Sequence, residues 1–346
     1  MQKEIIQTHD LLDHKGHLIE NGWSKRLFLK YNRLNVHAGK LRIKEWDYFE
    51  VLNENYGIIL LYHDVGYLGV AQVTWMDFNK GKFEELQEQV WFSKGSMNLP
   101  PSADDGDIIF DRNGNHWEMR WNHTTHERVF KFNYSKFRSG AGISGEIRLK
   151  QPPEMDSMVN VVPFKKKNQF VYALKTNNMI PNGKVKIGDA EFEFSEANGS
   201  NGLLDWTRSV FPYHVEWRWA SASGKVSGLP FGLNIDYGIT GFGTASKDMI
   251  FYKYKGHHID KVEYTWNKND PYQDWVFRSK NDERVSLKLK PKFIHKGGMN
   301  FVVLRTTVLK AYGFYTGKVK LDDGTIVEIK EKDRLFGHAE AVVNYW

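Results

Sequence analysis

One stretch of the chain concentrates residue types that could perform acid–base chemistry beside an apolar surface. Asp205, Trp206 and Arg208 fall within four positions, so a carboxyl, an indole and a guanidinium are close in sequence. A carboxyl desolvated beside an indole has a raised pKa and can donate a proton. We therefore interpret Asp205 as the candidate catalytic acid, with Arg208 tuning it. The alternative is an Asp205–Arg208 ion pair that only fixes the chain between two domains.

An aromatic segment follows directly and could form the wall of a ligand pocket. Trp217 and Trp219 lie two positions apart, so in a strand both indoles point to one face. There their π faces could stabilise a developing carbocation. Trp206 and Tyr213 are further candidates for the pocket lining. Large aromatic side chains are also ordinary core material, so packing inside a barrel is the competing interpretation.

Polar side chains in two further strand-like runs complete the candidate ligand-binding set. Asn234 and Asp236 alternate with apolar residues in the run that follows a Gly-rich turn. His338 and Glu340 would share one strand face near the C-terminus. Each pair could face an enclosed ligand, or it could face water, as polar residues of half-buried strands commonly do.

The elements that must hold these residues are strands. Short runs rich in β-branched and aromatic residues recur between turn signals at spacings of roughly 8 to 12 residues. Residues 82–92 have helical propensity, but their context favours a strand. The pattern predicts an all-β protein with two tandem antiparallel barrels or sandwiches. The turn-rich stretch 196–202 places the boundary, which gives domains of residues 1–200 and 201–346.

The composition excludes several classes of protein. The 346 residues include no Cys, so disulfide and thiolate chemistry are excluded. A net charge of +6 spread over the chain is weak support for nucleic-acid binding, which we do not expect. No apolar run approaches the roughly 20 residues that span a bilayer, so we expect a cytoplasmic protein without integral membrane association. The sequence leaves the oligomeric state open.

The sequence also predicts neither a metal nor a cofactor. His14 and His17 are three positions apart, and so are His123 and His126, but neither pair has the helical spacing of a zinc protease. Two ligands do not make a metal site. Neither a phosphate-binding P-loop nor a dinucleotide fingerprint occurs in the chain.

Several separate blocks of the chain resemble the domain-of-unknown-function family 2804. In the first half they are LLDHKGHLIENGWSKRLFLKYN, RIKEWDYFEVL and YLG. In the second half they are DWTRSVFPYHVEWRWASASG, FGLNID and FGHAEAVVNYW. That family is distantly similar to two-barrel lipocalin-like proteins that include carotenoid hydratases and natural-product cyclases. The resemblance implies two lipocalin-like barrels and a hydro-lyase, isomerase or cyclase activity without a cofactor.

The chain departs from that family at two places. Thr207 stands where the family usually carries Gly. Thr244 is followed by Ala245, Ser246 and Lys247, where the family usually continues with Glu and Asn. If that Glu acts chemically in relatives, its absence implies a lost or altered activity in this chain.

Three functional interpretations follow. The first is that a β-barrel pocket binds an apolar or amphiphilic small molecule, with Asp205 assisting hydration, isomerisation or cyclisation. The second is a non-catalytic carrier of a lipid-like ligand, which would use the same pocket without a paired acid and donor. The third is a carbohydrate-binding or carbohydrate-processing β-sandwich, because Trp and Tyr side chains also stack on sugars.

Overall fold

The computed structural model describes residues 3–238, 248–301 and 303–346, apart from the side chain of residue 301. The departure from the family pattern at 244–247 lies outside these residues. The described chain is almost entirely β-structure, arranged as two antiparallel sheets that each curl into a nearly closed barrel. The predicted fold class, all-β with two tandem barrels, is confirmed. The described residues contain no helix with the length and apolar character needed to cross a membrane.

The first barrel is built from a 13-stranded sheet, and two short strands near the N-terminus, β1 and β3, pair separately. One helical turn (Phe137–Gly140) and two 3-10 turns (Arg33–Asn35 and Glu196–Asn198) connect its strands. The strands up to the end of this barrel are β1 His9–Asp10, β2 Gly22–Ser24, β3 Leu29–Lys30, β4 Ile43–Leu52, β5 Tyr56–Asp64, β6 Leu68–Asp77, β7 Lys82–Trp91, β8 Ile108–Arg112, β9 Asn115–Asn122, β10 Glu127–Tyr134, β11 Ile143–Lys150, β12 Met158–Pro163, β13 Phe170–Ile187, β14 Ala190–Ser195 and β15 Asn201–Val210.

The main path of this sheet runs β7-β6-β5-β4-β15-β13-β11-β10-β9-β8. Side-chain hydrogen bonds connect the two ends of this path, β7 at one end and β8 with β9 at the other. Glu88 on β7 accepts hydrogen bonds from the amides of Asn113 and Asn115 beside β8 and β9, each at 2.6 Å. These bonds bring the edge strands together without a backbone ladder, which leaves less exposed edge for pairing with other chains.

The second barrel is built from a 10-stranded sheet with the path β19-β18-β17-β16-β25-β23-β22-β21-β20. The Asp248 carboxylate helps to close it, since it accepts the backbone N–H groups of Asp236 and Val262, each at 2.8 Å. One 3-10 turn (Glu331–Asp333) precedes the last strand. The strands are β16 His214–Val226, β17 Leu229–Tyr237, β18 Asp248–Tyr252, β19 Lys255–Ile259, β20 Val262–Thr265, β21 Trp275–Ser279, β22 Val285–Phe301, β23 Leu304–Lys320, β24 Ile326–Ile329 and β25 Phe336–Tyr345.

The strand pattern matches the sequence expectation in most places and differs in a few. Residues 82–91 form a strand despite their helical propensity, because β7 pairs along its whole length with β6. Residues 258–267 alternate as one strand would, but they contain the end of β19 and all of β20. Residues 304–320 form the single strand β23, which stays paired with β22 past a bulge in β22 between Pro291 and Phe293.

The boundary between the barrels lies further along the chain than the turn signals indicate. Strand β15 pairs with β4 and β13, so residues 201–210 belong to the first sheet. The turn-rich stretch 196–202 connects two strands of that sheet. The actual link, residues 211–213, is short and contains two aromatic residues and Pro212, so nothing in its composition resembles a flexible linker.

The hairpin of β16 and β17 is held against the first barrel by a bulge in β13. Ser227 and Gly228 make its two-residue turn, both with positive φ, as expected of a type I′ turn. At the bulge, the Asn178 amide donates to the carbonyl groups of Gly224 and Phe231 at 3.1 and 2.9 Å. A Cβ atom at Gly232 would overlap the Asn178 side chain, so this close approach requires glycine.

Candidate functional site

The outer face of the first barrel carries a row of three polar side chains. Tyr48, Asp205 and Lys175 lie directly opposite one another on the neighbouring strands β4, β15 and β13. Because Asp205 precedes the inward-facing Trp206, the row points away from the first core. Lys175 forms an ion pair with Asp205, and the other Asp205 oxygen accepts a hydrogen bond from the Thr207 hydroxyl at 3.0 Å.

The second barrel presents a matching row of four residues. Asp236, Trp219, Glu340 and Lys310 lie opposite one another on β17, β16, β25 and β23. Their neighbours along each strand belong to the second core, so these four side chains point outward, toward the first barrel. Lys310 and Glu340 approach each other at 3.5 Å.

The two rows meet between the barrels. The Lys310 ammonium is 2.9 Å from the Tyr48 hydroxyl, and the Lys175 ammonium lies 4.1 Å from the centre of the Trp219 ring. The Trp219 indole is fixed by its own N–H, which donates to Asn234 at 2.7 Å. Each row therefore provides a contact for the ammonium group of the other. A buried ammonium group that lost such a contact would be left poorly compensated, so these two contacts hold the barrels in a defined register.

Glu50 and His338 lie next to the two rows. Together with the rows they form a band of charged and polar side chains between the barrels, called the charged band below. The Glu50 carboxylate lies 2.9 Å from Nδ1 of His338 and 3.6 Å from the Lys310 ammonium. Burial by itself would raise the pKa of Glu50, but Lys310 and His338 outweigh burial and lower it to about 2. Burial, together with the charge of Lys310, lowers the pKa of His338. Glu50 is therefore an anion that connects one barrel to a cation and an imidazole on the other.

A cavity of about 330 Å³ lies beside the rows, between the two barrels. Polar groups of both rows form one end of it, and the remaining walls combine aromatic and aliphatic side chains with a few polar ones, among them Thr306 and Asn344. Phe211 stacks against Trp46 at 5.9 Å and packs on Trp346 at 5.6 Å, while Trp217 lies 6.1 Å from Trp346. The Arg42 guanidinium donates to the carbonyl oxygens of residues 211 and 346 and so anchors two of these walls.

Two further side chains tune the polarity of the cavity. The Trp217 indole N–H donates to Glu340 at 3.0 Å, which orients that carboxylate. His63 lines the first-barrel side, and burial lowers its pKa to about 4. Its imidazole is therefore neutral near pH 7. The cavity thus combines an aromatic body with one end that carries paired charges, a phenol and carboxylates.

This arrangement can bind an amphiphilic molecule and can move a proton to or from it. The Lys175–Asp205 ion pair places an ammonium donor next to a carboxylate acceptor at the polar end of the cavity. A positioned acid–base group of this kind contributes to proton transfer when it is within hydrogen-bond reach of the reacting atom. The indole faces would stabilise positive charge that develops on an apolar substrate.

Comparison with known proteins identifies the family. A family model described as "Domain of unknown function (DUF2804)" matches residues 2–346. The chain belongs to this family. Among curated protein sequences, no match to this DUF2804 protein was found.

Solved structures with a similar chain path are themselves distant in sequence. A Nitrosomonas europaea protein provisionally assigned as AttH has 11% identity and a TM-score of 0.49, with 90% of this chain and 96% of that chain covered. Kievitone hydratase from Nectria haematococca has 9% identity and a TM-score of 0.47, with 98% of each chain covered. CghA has 8% identity and a TM-score of 0.45, with 97% of each chain covered.

The sequence-predicted residues of this DUF2804 protein fall into three groups. Five of them line the inter-barrel cavity: Asp205, Trp217, Trp219, Asp236 and Glu340. Two are buried next to its lining, since Asn234 bonds to Trp219 and His338 bonds to Glu50. Three lie away from it: Trp206, Arg208 and Tyr213. The first two groups meet although they come from four separate strands, because three of these strands are neighbours in the second barrel and β15 faces them.

Arg208 lies on the opposite face of β15 from Asp205. Its guanidinium occupies the first-barrel interior, where it forms an ion pair with Asp47 at 2.7 Å and donates to the Pro100 carbonyl at 2.6 Å. Trp206 shares that interior, 4.4 Å below the guanidinium. Strand alternation separates position 208 from position 205, so the expected Asp205–Arg208 contact does not form and Lys175 is the partner of Asp205.

Tyr213 is about half exposed in the link between the barrels, and its hydroxyl donates to the Val303 carbonyl at 2.7 Å. It does not line the cavity, because the chain turns there to enter the second barrel.

Four residues of the charged band were not anticipated: Tyr48, Glu50, Lys175 and Lys310. A signal for three of them is present in the sequence. Glu50, Lys175 and Lys310 each lie next to apolar residues in their strands, in YFEVL, VYALKTN and TVLKAYGF. A charge in such a run is expected to have a buried partner. Within residues 3–238, 248–301 and 303–346, no cluster of His, Asp and Glu side chains could hold a metal ion.

Proposed function

We propose that this protein binds an apolar or amphiphilic small molecule in the inter-barrel cavity. The observation that carries the proposal is the division of the cavity into an aromatic part and a polar end supplied by both barrels. Ligand sites are typically apolar clefts of about 300 to 1,000 Å³ with a few convergent polar groups, and this cavity is at the small end of that range. A ligand would place its apolar body against Trp46, Trp217 and Trp346 and its polar group near Asp205.

We further propose that Lys175 and Asp205 act as one acid–base unit on the bound molecule. In a hydration, the Asp205 carboxylate takes a proton from water as the water oxygen bonds to one alkene carbon. The Lys175 ammonium gives a proton to the other carbon. The pair then returns to its starting state when the proton moves from Asp205 to Lys175 across their ion pair. An isomerisation would use the same two groups without the water.

The binding part of the proposal is tested with the protein purified without detergent. Native mass spectrometry is expected to detect one small molecule per chain, or, for ligand-free protein, N-phenyl-1-naphthylamine is expected to bind in a 1:1 ratio. Val171→Phe projects a ring into the cavity and should abolish both signals. Val303→Phe makes the same change at an exposed position and should leave both unchanged. If neither ligand nor probe binds, or if Val171→Phe binds normally, the proposal is wrong.

The catalytic part is tested on the released ligand. Native protein, Asp205→Asn and Lys175→Met are incubated with it, and the products are analysed by mass spectrometry. Conversion by the native protein alone supports the acid–base unit. A ligand that stays unchanged with all three proteins supports the second candidate, a carrier, which the pairing of Asp205 with Lys175 also accommodates because the pair leaves no unbalanced charge.

A further inference from the structure

A second cavity, of about 590 Å³, opens at one end of the second barrel. It lies on the inner face of β16, β23 and β25, whereas the inter-barrel cavity lies on the outer face of the same strands. Strand alternation separates the two: Arg218, Leu309 and Val343 line the inner cavity, while Trp219 and Glu340 line the outer one. The two cavities therefore lie on opposite faces of the same sheet, and Trp217, Val308 and Val342 border both.

Arg218 is held in a fixed position within this second cavity. Its guanidinium lies between two aromatic rings, 5.2 Å from the centre of Tyr237 and 5.1 Å from that of Trp266. It donates one hydrogen bond, to the Tyr264 carbonyl at 3.3 Å. Among the residues that the structure describes, no carboxylate lies within ion-pair distance of Arg218. Most donors of a half-buried guanidinium are thus left for another acceptor.

The rest of the lining adds positive charge. Lys268 and Lys296 are exposed at the cavity, and neither forms an ion pair within the described part of the chain. One carboxylate, Glu216, lies among the residues that line the cavity, and it bonds to His214 at 3.1 Å. Three cations and one carboxylate leave a local excess of two positive charges, which attracts anions into a cleft with low-dielectric walls.

We propose that the open end of the second barrel binds a carboxylate-bearing hydrophobic molecule. The planar guanidinium of Arg218 matches a carboxylate in a two-point hydrogen-bonded pair, and the rings that clamp it reduce the freedom lost on binding. Tyr237, Trp266, Leu309 and Val343 provide the apolar surface for the body of the ligand. An amphiphilic acid satisfies both parts of this lining, whereas a neutral molecule leaves the guanidinium without a counter-charge.

The proposal is tested by isothermal titration calorimetry with two probes of the same ring system, 2-naphthoate and the neutral 2-naphthalenemethanol. The native protein is expected to bind 2-naphthoate more tightly than the alcohol by about tenfold or more. Arg218→Gln should remove that difference. Arg278→Gln removes the same charge from an exposed position on β21 and should leave it intact. Val171→Phe, which blocks the inter-barrel cavity, should also leave 2-naphthoate binding unchanged.

Two results would overturn the proposal: equal affinity of the native protein for both probes, or unchanged 2-naphthoate affinity in a folded Arg218→Gln variant. If Arg218→Gln does not fold, Lys296→Gln decides instead, because an exposed lysine can be replaced without disturbing the barrel. It should weaken 2-naphthoate binding roughly threefold at low salt and have less effect at high salt. An unchanged affinity would count against the site.

Discussion

Replacing Glu50 with Gln tests whether the charged band holds the two barrels together. Glu50 is buried on the first barrel, and its partners Lys310, His338 and Tyr312 belong to the second. Glutamine keeps the size of the side chain and resembles the protonated acid, so the change removes the charge and little else. The expected decrease in the free energy of unfolding therefore equals the free energy by which the folded site favours ionised over protonated Glu50.

The magnitude follows from the pKa of Glu50. Lowering this pKa from 4.5 to about 2 corresponds to about 3 kcal/mol in favour of the folded, ionised state. Because the folded-state pKa is depressed, the stabilisation is fully present above about pH 4.5. It is lost as the pH falls toward 2. Glu50→Gln should thus unfold with a free energy about 3 kcal/mol lower at pH 7, and its difference from the native protein should shrink below pH 4.5.

The assay is urea unfolding at pH 7, 5, 4 and 3, followed by tryptophan fluorescence and circular dichroism. Glu328→Gln is the matched control, since Glu328 is exposed and pairs with Lys318 and Lys330 at 3.6 and 3.4 Å. Exposed pairs contribute less than about 1 kcal/mol, so this control should change little. The reasoning is refuted if Glu50→Gln matches the native stability at pH 7, or if its deficit is the same at pH 3 as at pH 7.

Three further predictions concern the cavity. Trp217→Phe keeps an aromatic wall but removes the N–H that Glu340 accepts, so urea unfolding should show a loss of about 1 kcal/mol, and no loss would contradict this bond. Tyr48→Phe removes the hydroxyl beside Lys310 and should weaken retention of the bound molecule in native mass spectrometry while circular dichroism stays unchanged. His63 should remain neutral from pH 8 to about pH 5 in an NMR titration, because burial lowers its pKa to about 4; protonation near pH 6.5 would contradict its burial.

Strand alternation explains which parts of the fold could be predicted from the sequence. The period of two in β16 correctly places Trp217 and Trp219 on one face, and both line the cavity. It also predicts a strand on each side of the Gly-rich turn, and these are the two strands of the hairpin, β16 and β17. The same rule separates Asp205 from Arg208, whose proximity in sequence suggested a contact that three positions along a strand do not allow. Within a strand, two residues that are an odd number of positions apart point to opposite faces, however close they are in sequence.

The partners of Asp205 and Lys310 could not be predicted, because they depend on pairing between distant strands and on the docking of the two barrels. Asp205 meets Lys175 because β13 and β15 are neighbours in register, and Lys310 meets Tyr48 because the two barrels dock. Neither relation leaves a local pattern in the sequence. The domain boundary could not be predicted for a related reason. Polar turn residues mark the ends of strands within a barrel as well as between barrels, and the actual link between the two packed barrels is aromatic.

The same geometry gives the first barrel a part in the site. The inter-barrel cavity is formed by outer faces, which in an isolated barrel would be solvated, so neither barrel can form the cavity alone. The first barrel supplies Tyr48, Asp205 and Lys175, and the second supplies Trp219 and Glu340. Because a buried ion must keep its partner, any displacement of one barrel that separated Lys310 from Glu50 would leave charges unpaired. The charged band thus makes one docked arrangement strongly favoured, and that arrangement is the one in which the acid–base pair faces the aromatic walls.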